Sequence, residues 1–194
     1  MAAATLRPNQ RGHILDVTLR IMSEQGAAKT SMRQLARECG INVATLYHYF
    51  ESKDALLAAV IEERRYGARL ADPPEIPAHL SVDDRLRLVF ATVWQGALAE
   101  EPIWRLLLGE ALRGEPTAIP VGQSLLDVLG PGLAAWVAAA IPELEQPEAV
   151  AELLLGQLFA GFVRHIFQPD LDVAEIERAG GDAIAAAVVP GRAS

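Results

Sequence analysis

Three helix-capping residues, Ser31, Asn42 and Ser52, stand ten or eleven positions apart. The first two helices they open can therefore hold only about two turns each. Helices that short are marginal in water and persist by packing on neighbours. Ser31 and Gln34 form a Ser-x-x-Gln capping box, which starts a helix at Met32. That helix turns Leu35 and Ala36 inward and ends at Gly40, a residue that admits the left-handed backbone of a sharp turn. Asn42 caps a third helix over residues 43–50, and Ser52 caps a fourth with Leu56, Leu57, Val60 and Ile61 on its buried stripe. On the third helix Leu46 and Phe50 are four residues apart and face inward with Ile41. Ala44, Thr45 and His48 are left outward near its N-terminal end, with Tyr47 at the edge. The pattern predicts a helix-turn-helix.

Alanine and leucine dominate the rest of the chain and strand-like alternation is scarce, so an all-α protein is expected. A first helix should cover residues 8–25, with Ile14, Leu15, Thr18, Ile21 and Met22 on one face and Gly26 as its stop. Residues 72–77 hold three prolines in five positions and end any helix there. Ser81 with Asp84 opens a helix carrying Leu86, Val89, Phe90, Val93 and Trp94. Pro102 suits the first turn of another, and residues 113–120 read as a loop. Gly130-Pro131-Gly132 should kink or break a helix over 121–141. A long apolar helix over 148–167 ends before Pro169, and a last one over 173–188 looks weakened by Gly180-Gly181. The expected division is residues 1–53 as a headpiece, 53–71 as a linking helix and 78–194 as a larger domain.

The formal net charge is −8 over 194 residues. It is unevenly divided: ten basic and seven acidic residues run through Leu70, seven and eighteen beyond it. A basic head on an acidic body fits a protein whose head meets phosphate and whose body does not. Cys39 is the lone cysteine, which removes disulfides and cysteine-based zinc sites and suits a reducing cytoplasm. Its place in the headpiece core marks it as a small buried hydrophobe. No apolar signal core opens the chain. The longest apolar run, residues 133–141, is well short of the roughly 20 residues a bilayer span needs. A cytoplasmic protein without a membrane partner, metal or cofactor is expected.

The outward face of the third helix has what a major groove admits, small or polar side chains near the helix start. Thr30 and Ser31 lie at a helix N-terminus, where free N–H groups attract an anion. Lys53 adds a formal charge at the next such terminus, and Tyr47 and His48 can donate to phosphate oxygens. Base reading would fall to Arg33, Asn42, Thr45 and Ala44, the last through a thymine methyl.

These residues carry a resemblance. The ordered Thr45-Leu46-Tyr47-His48-Tyr49-Phe50 followed by Ser52-Lys53, with the capped helix before it, resembles the headpiece of the tetracycline-repressor (TetR) family over the first third of the chain. The resemblance implies an all-α fold with an N-terminal three-helix helix-turn-helix DNA-binding domain and a C-terminal helical bundle for ligand binding and dimerisation. It also implies a homodimer on a near-palindromic double-stranded DNA operator, and repression relieved by an unidentified small-molecule effector. One departure matters. Members often have Lys or Arg at the start of the recognition helix, where this chain has Val43 and then Ala44. Weaker non-specific binding is expected, or a compensating contact from Arg7, Arg11 or Arg33.

In the larger domain Phe90, Trp94, Trp104, Trp136, Phe159 and Phe162 are candidates to line an apolar pocket, though single aromatics more often fill a core. Arg105, Gln123, Gln157 and His165 are the polar candidates, with core or interface packing the plainer reading of His165. Leu153, Gly156 and Ala160 share a face of the penultimate helix. With Ile176, Ile184 and Val188 of the last helix they are the expected dimer interface; intramolecular packing is the alternative. The fourth helix, read as reaching about Leu70, is the expected lever between the domains. An enzyme finds no support in a phosphate-binding glycine loop, HExxH or GxSxG motif. A protein-interaction module that has lost DNA binding is favoured only by Val43.

Overall fold

A computed structural model describes residues 9–63, 70, 73–116 and 118–189. Among these residues there are nine helices and no strand. They are α1 (Gln10–Gln25), α2 (Met32–Glu38), α3 (Val43–Tyr49), α4 (Lys53–Glu62), α5 (Val82–Ala99), α6 (Glu101–Leu112), α7 (Ala118–Ala140), α8 (Pro147–Phe167) and α9 (Val173–Val188). Residues 64–69 lie outside the description, and with them the extension of the fourth helix toward Leu70. Arg7 and Pro8 lie outside it too.

The local signals act where they stand. Asn9, Ser31, Asn42 and Ser52 each accept a backbone N–H from the first turn of the helix they precede. Gly26 stops α1 at a φ of 89°. Gly40, at a φ of 68°, lets the chain close α2 with two bonds, its own N–H to Arg37 and the Ile41 N–H to Ala36. That pair of bonds is the Schellman arrangement. The result is a turn tight enough to bring α3 against α2.

The chain packs as two compact units. In the first, α1 packs on α2, α4 and α6, around Ile14, Met22, Leu35, Leu46, Leu56 and Ile103, all fully buried. This unit takes residues 100–125 as well as the headpiece, so the interval 78–194 is not packed as one body.

The second unit is built on α5 and α9 with α8 against both. Phe90 and Trp94 stack in its core with ring centroids 6.5 Å apart. Small residues allow this. A Cβ at Gly161 would lie 2.9 Å from the Trp94 ring, and one at Gly180 only 2.3 Å from the Phe90 ring. Gly180-Gly181 does not weaken the last helix as the sequence suggested; it lets α9 approach α5. Nor does Gly130-Pro131-Gly132 break α7, whose helical backbone runs through it. A side chain at Gly132 would meet that of Leu70 at 2.9 Å. Helix α7 also begins at Ala118, inside the stretch read as a loop.

By length and composition α7 and α8 are apolar enough to cross a bilayer, with mean hydropathies of 1.2 and 1.4. Their apolar residues are interspersed with small ones, so no unbroken apolar run of that length marks either helix, and the core helix of a soluble protein reaches the same composition.

Arg85 is buried in the second unit and donates to both Glu143 carboxylate oxygens and to the Ala140 carbonyl at 3.1 Å. The hydrogen bond from Arg85 holds the Glu143 carboxyl below its usual range. A carboxyl so lowered stabilises the fold above its unfolded value of about 4.3, and the contribution fades as pH falls through the folded value. The unmodified chain should therefore melt above Glu143→Gln at neutral pH, with the gap closing in melts taken below about pH 4. A gap that is absent at pH 7 would show the pair to be without weight.

Candidate nucleic-acid interface

Helix α3 owes its orientation to two buried side chains. Leu46 is fully buried and Phe50, just past the helix end, is 5% exposed. With these as anchors, Ala44, Tyr47 and His48 are exposed and Thr45 half-buried. Asn42 uses Oδ1 to accept from the Thr45 N–H at 2.7 Å. Its Nδ2 amide is a donor outside that bond, on an exposed residue. The Tyr49 and His48 rings meet edge to face at a centroid distance of 5.8 Å. Arg33 is exposed on α2, and Ser31 is exposed at its N-terminus.

Two expected contacts change. Thr30 is buried, and its hydroxyl donates to the Gly26 carbonyl and accepts from Gln25 Nε2. It stands one residue before the cap, so its side chain closes the α1–α2 turn rather than facing an anion. Lys53 is half-buried and its ammonium donates to the Ala27 carbonyl at 2.8 Å. Two of its three N–H donors are left beyond that bond. Of the cations expected to compensate for Val43, Arg11 pairs with Glu63 and lies over the Phe50 ring at 5.8 Å. Arg33 is the one described cation of the three that is exposed without a charge pair of this kind. Cys39 is buried, and burial pushes its thiol up, with Glu38 adding and Arg20 opposing.

Sequence reasoning missed Glu110 entirely. This α6 carboxylate is 1% exposed and accepts the Ala27 N–H at 3.1 Å and Arg113 Nη1 at 2.9 Å. No pattern marks an acidic residue on an amphipathic helix as buried; only the position of the α1–α2 turn does.

The expected ligand-pocket residues are divided between the two units. Phe90, Trp94 and Phe162 are buried in the second unit. The Phe162 ring is 6.4 Å from that of His165. Trp136 donates its indole N–H to the Leu70 carbonyl at 2.9 Å. Phe159 is 57% exposed, and Trp104 belongs to the other unit on α6, as does Arg105, which pairs with Glu101. Gln123 is exposed and Gln157 half-buried. A groove between α7 and α8 is lined by Leu126, Gly130, Ala134, Ala138, Glu148 and Glu152 among others, and none of the expected aromatics lines it.

The dimer expectation divides likewise. Leu153 and Gly156 are exposed on α8 and Ala160 half-buried, but Ile176 and Ile184 are buried in their own unit, and Val188 is half-buried against the same core. The apolar stripe of α9 is consumed by α5.

The family described as bacterial regulatory proteins, tetR family, matches residues 14–60, the stretch that holds this turn and both its helices. Over those residues the chain is similar to the TetR family. The family match lies within the headpiece and α4. The regulator UidR of Escherichia coli (strain K12) is 40% identical over 67 residues, 34% of each protein. The chain thus spans about a third of the length of the curated relatives it matches there. GusR of Salmonella enterica is similar in fold over 95% of this chain and 97% of its own, with a TM-score of 0.70 and 23% identity. FadR of Bacillus subtilis, solved in complex with stearoyl-CoA, aligns over 92% and 100% at a TM-score of 0.61 and 14% identity.

Proposed function

We propose that this chain is a ligand-responsive transcriptional regulator of the TetR family, a repressor that binds a near-palindromic operator as a homodimer and is released by a small apolar effector. The observation that carries the reading is the disposition of α3. Leu46 and Phe50 are buried behind it while Ala44, Tyr47 and His48 face outward. Thr45, Ala44, Asn42 and Arg33 read bases, and Ser31, Tyr47, His48 and Lys53 meet phosphates; Thr30 is withdrawn from the set. Support for dimerisation comes from the exposed apolar face of α8, Leu153 with Gly156, Phe159 and Ala160. Support for an apolar effector comes from the fold shared with FadR, whose ligand has a long acyl chain. Of the expected lining residues, Phe90, Trp94, Phe162 and Trp136 share the second unit. The mechanism is a population shift: effector favours a spacing of the two recognition helices that no longer fits half-sites about 34–36 Å apart. A cytoplasmic location follows from this function.

The test is selection of bound sequences from random duplex DNA, followed by shift assays over a salt series. A two-fold symmetric site should emerge, with affinity falling steeply as salt rises. A chain that ignores duplex DNA even in dilute buffer would end the proposal. In the same assay Val43→Lys should steepen the salt slope by about one unit, as one phosphate contact is added. An unchanged slope would show that position to be away from the backbone.

A further inference from the structure

Ala27 in the α1–α2 turn is gripped from two sides. Its N–H donates to Glu110 of α6 at 3.1 Å, and its carbonyl accepts from Lys53 Nζ at 2.8 Å. The same carbonyl accepts the Thr30 N–H at 3.1 Å. One residue thus joins α6 to the first residue of α4, across 83 and 26 positions of sequence. The turn is shaped to leave room for this. Gly26 has a positive φ, and a Cβ there would come within 3.1 Å of the Glu110 carboxylate.

From this geometry we infer that Glu110 is a positioning residue for DNA binding, acting through the Ala27 peptide to aim the Lys53 ammonium at backbone phosphate. The inference rests on the DNA-binding reading above. It extends the working headpiece beyond the 14–60 match to a carboxylate on α6. With Glu110 in place the Ala27 carbonyl is fixed, and it holds one Lys53 N–H so that the other two are directed away from it. Without it the Ala27 peptide is held from the Thr30 side alone, and Lys53 loses that aim while keeping its charge. A purely structural account gives Glu110 a different role. Its second oxygen, Oε2, is buried without a protein partner among the described residues, a burden on stability that an apolar side chain would remove.

The test is a double-substitution cycle on the full chain, with the duplex selected as above as probe. In the unmodified background Glu110→Leu should weaken binding about tenfold and lower the salt slope by about one unit, as Lys53→Met does by itself. In the Lys53→Met background the same Glu110→Leu should change affinity less than about twofold and leave the slope alone. Glu110→Gln, which keeps an acceptor for the Ala27 N–H, should restore the slope. Additive losses, or an unchanged slope in Glu110→Leu, would overturn the inference. If Glu110→Leu does not fold, amide exchange in the unmodified chain decides. An Ala27 N–H that exchanges at least about tenfold slower than an unbonded amide of the same sequence supports the clamp, and an unprotected rate overturns it. Failure of the unmodified chain to bind any duplex would instead remove the DNA-binding reading.

Discussion

Gly180→Ala should destabilise the protein, although the same exchange in most helices does the reverse. Alanine gains up to about 1 kcal/mol over glycine in a helix interior. At Gly180 the new Cβ would lie 2.3 Å from Cε1 and 2.4 Å from Cζ of Phe90. Phe90 is fully buried and stacked on Trp94, so its ring cannot move aside without disturbing a second one. Trp94 in turn is close to Gly161, where a Cβ would stand 2.9 Å from the indole. Overpacking of this kind costs about 1–3 kcal/mol, occasionally more. We expect a net loss near 2 kcal/mol, or a drop in Tm of about 4–8 °C for a chain this long. Gly96→Ala is the contrast. It lies on α5 with nothing within 4 Å of its Cβ position, and should gain about 0.4–1 kcal/mol. Phe90→Leu should cost less in the Gly180→Ala background than alone, because it removes the clash. Thermal or denaturant melts of the four variants check all of this. A Gly180→Ala protein as stable as Gly96→Ala would mean α9 does not approach α5 so closely.

What could be read from the residues, and what could not, follows the range of the interaction. Ser31, Asn42 and Ser52 act on N–H groups three residues away, and each helix start fell where its cap predicted. Gly40 closes its turn through bonds to Arg37 and Ala36, equally local. The misreadings are glycines and polar groups whose partners are distant. Gly180-Gly181 looked like a weakness because propensity says nothing about a ring on another helix. Ile176 and Ile184 had the spacing of an interface, but α5 covers them, and spacing cannot say which partner covers an apolar stripe. Thr30 had the composition of an anion site, yet its hydroxyl turns back to Gly26, four residues earlier. Glu110 gave no signal at all, since its partner is 83 residues away. The outward surface of α3 was legible because its anchors, Leu46 and Phe50, lie within the same short helix or just past it. The disposition of the expected pocket aromatics was not, because they come from helices whose packing the sequence does not fix.

Phe159→Glu should halve the mass of the particle in solution and weaken operator binding by about a hundredfold or more. The outer face of α8 presents Leu153, Gly156, Ala160, Val163 and Phe167 at alternating spacings of three and four, with Phe159 beside them. Phe159 and Phe167 are 57% and 79% exposed, and Leu126 on α7 is 60% exposed. An apolar face of this kind marks an interaction surface, and Gly156 has nothing within 4 Å of its Cβ position to obstruct a partner helix. A second copy placed on the same face buries the phenyl rings of both, and a two-fold pairing contacts each residue twice. One carboxylate in the middle of such a face strands two charges out of water, a penalty neither copy can relieve. Because Phe159 is exposed in the single chain, its own fold should melt within about 0.5 kcal/mol of the original. The operator effect is larger because two linked heads bind far better than one: joining the half-sites is worth about 10²–10⁴ in affinity. Sedimentation and shift assays read both quantities. The apolar length of α7 and α8 also admits a bilayer as what covers this face, and the two occupants predict opposite things of the unmodified chain. A dimer needs no lipid to form and disperses on Phe159→Glu. A chain that stays monomeric at micromolar concentration in buffer, and partitions onto vesicles instead, would show that the face is not where two copies meet.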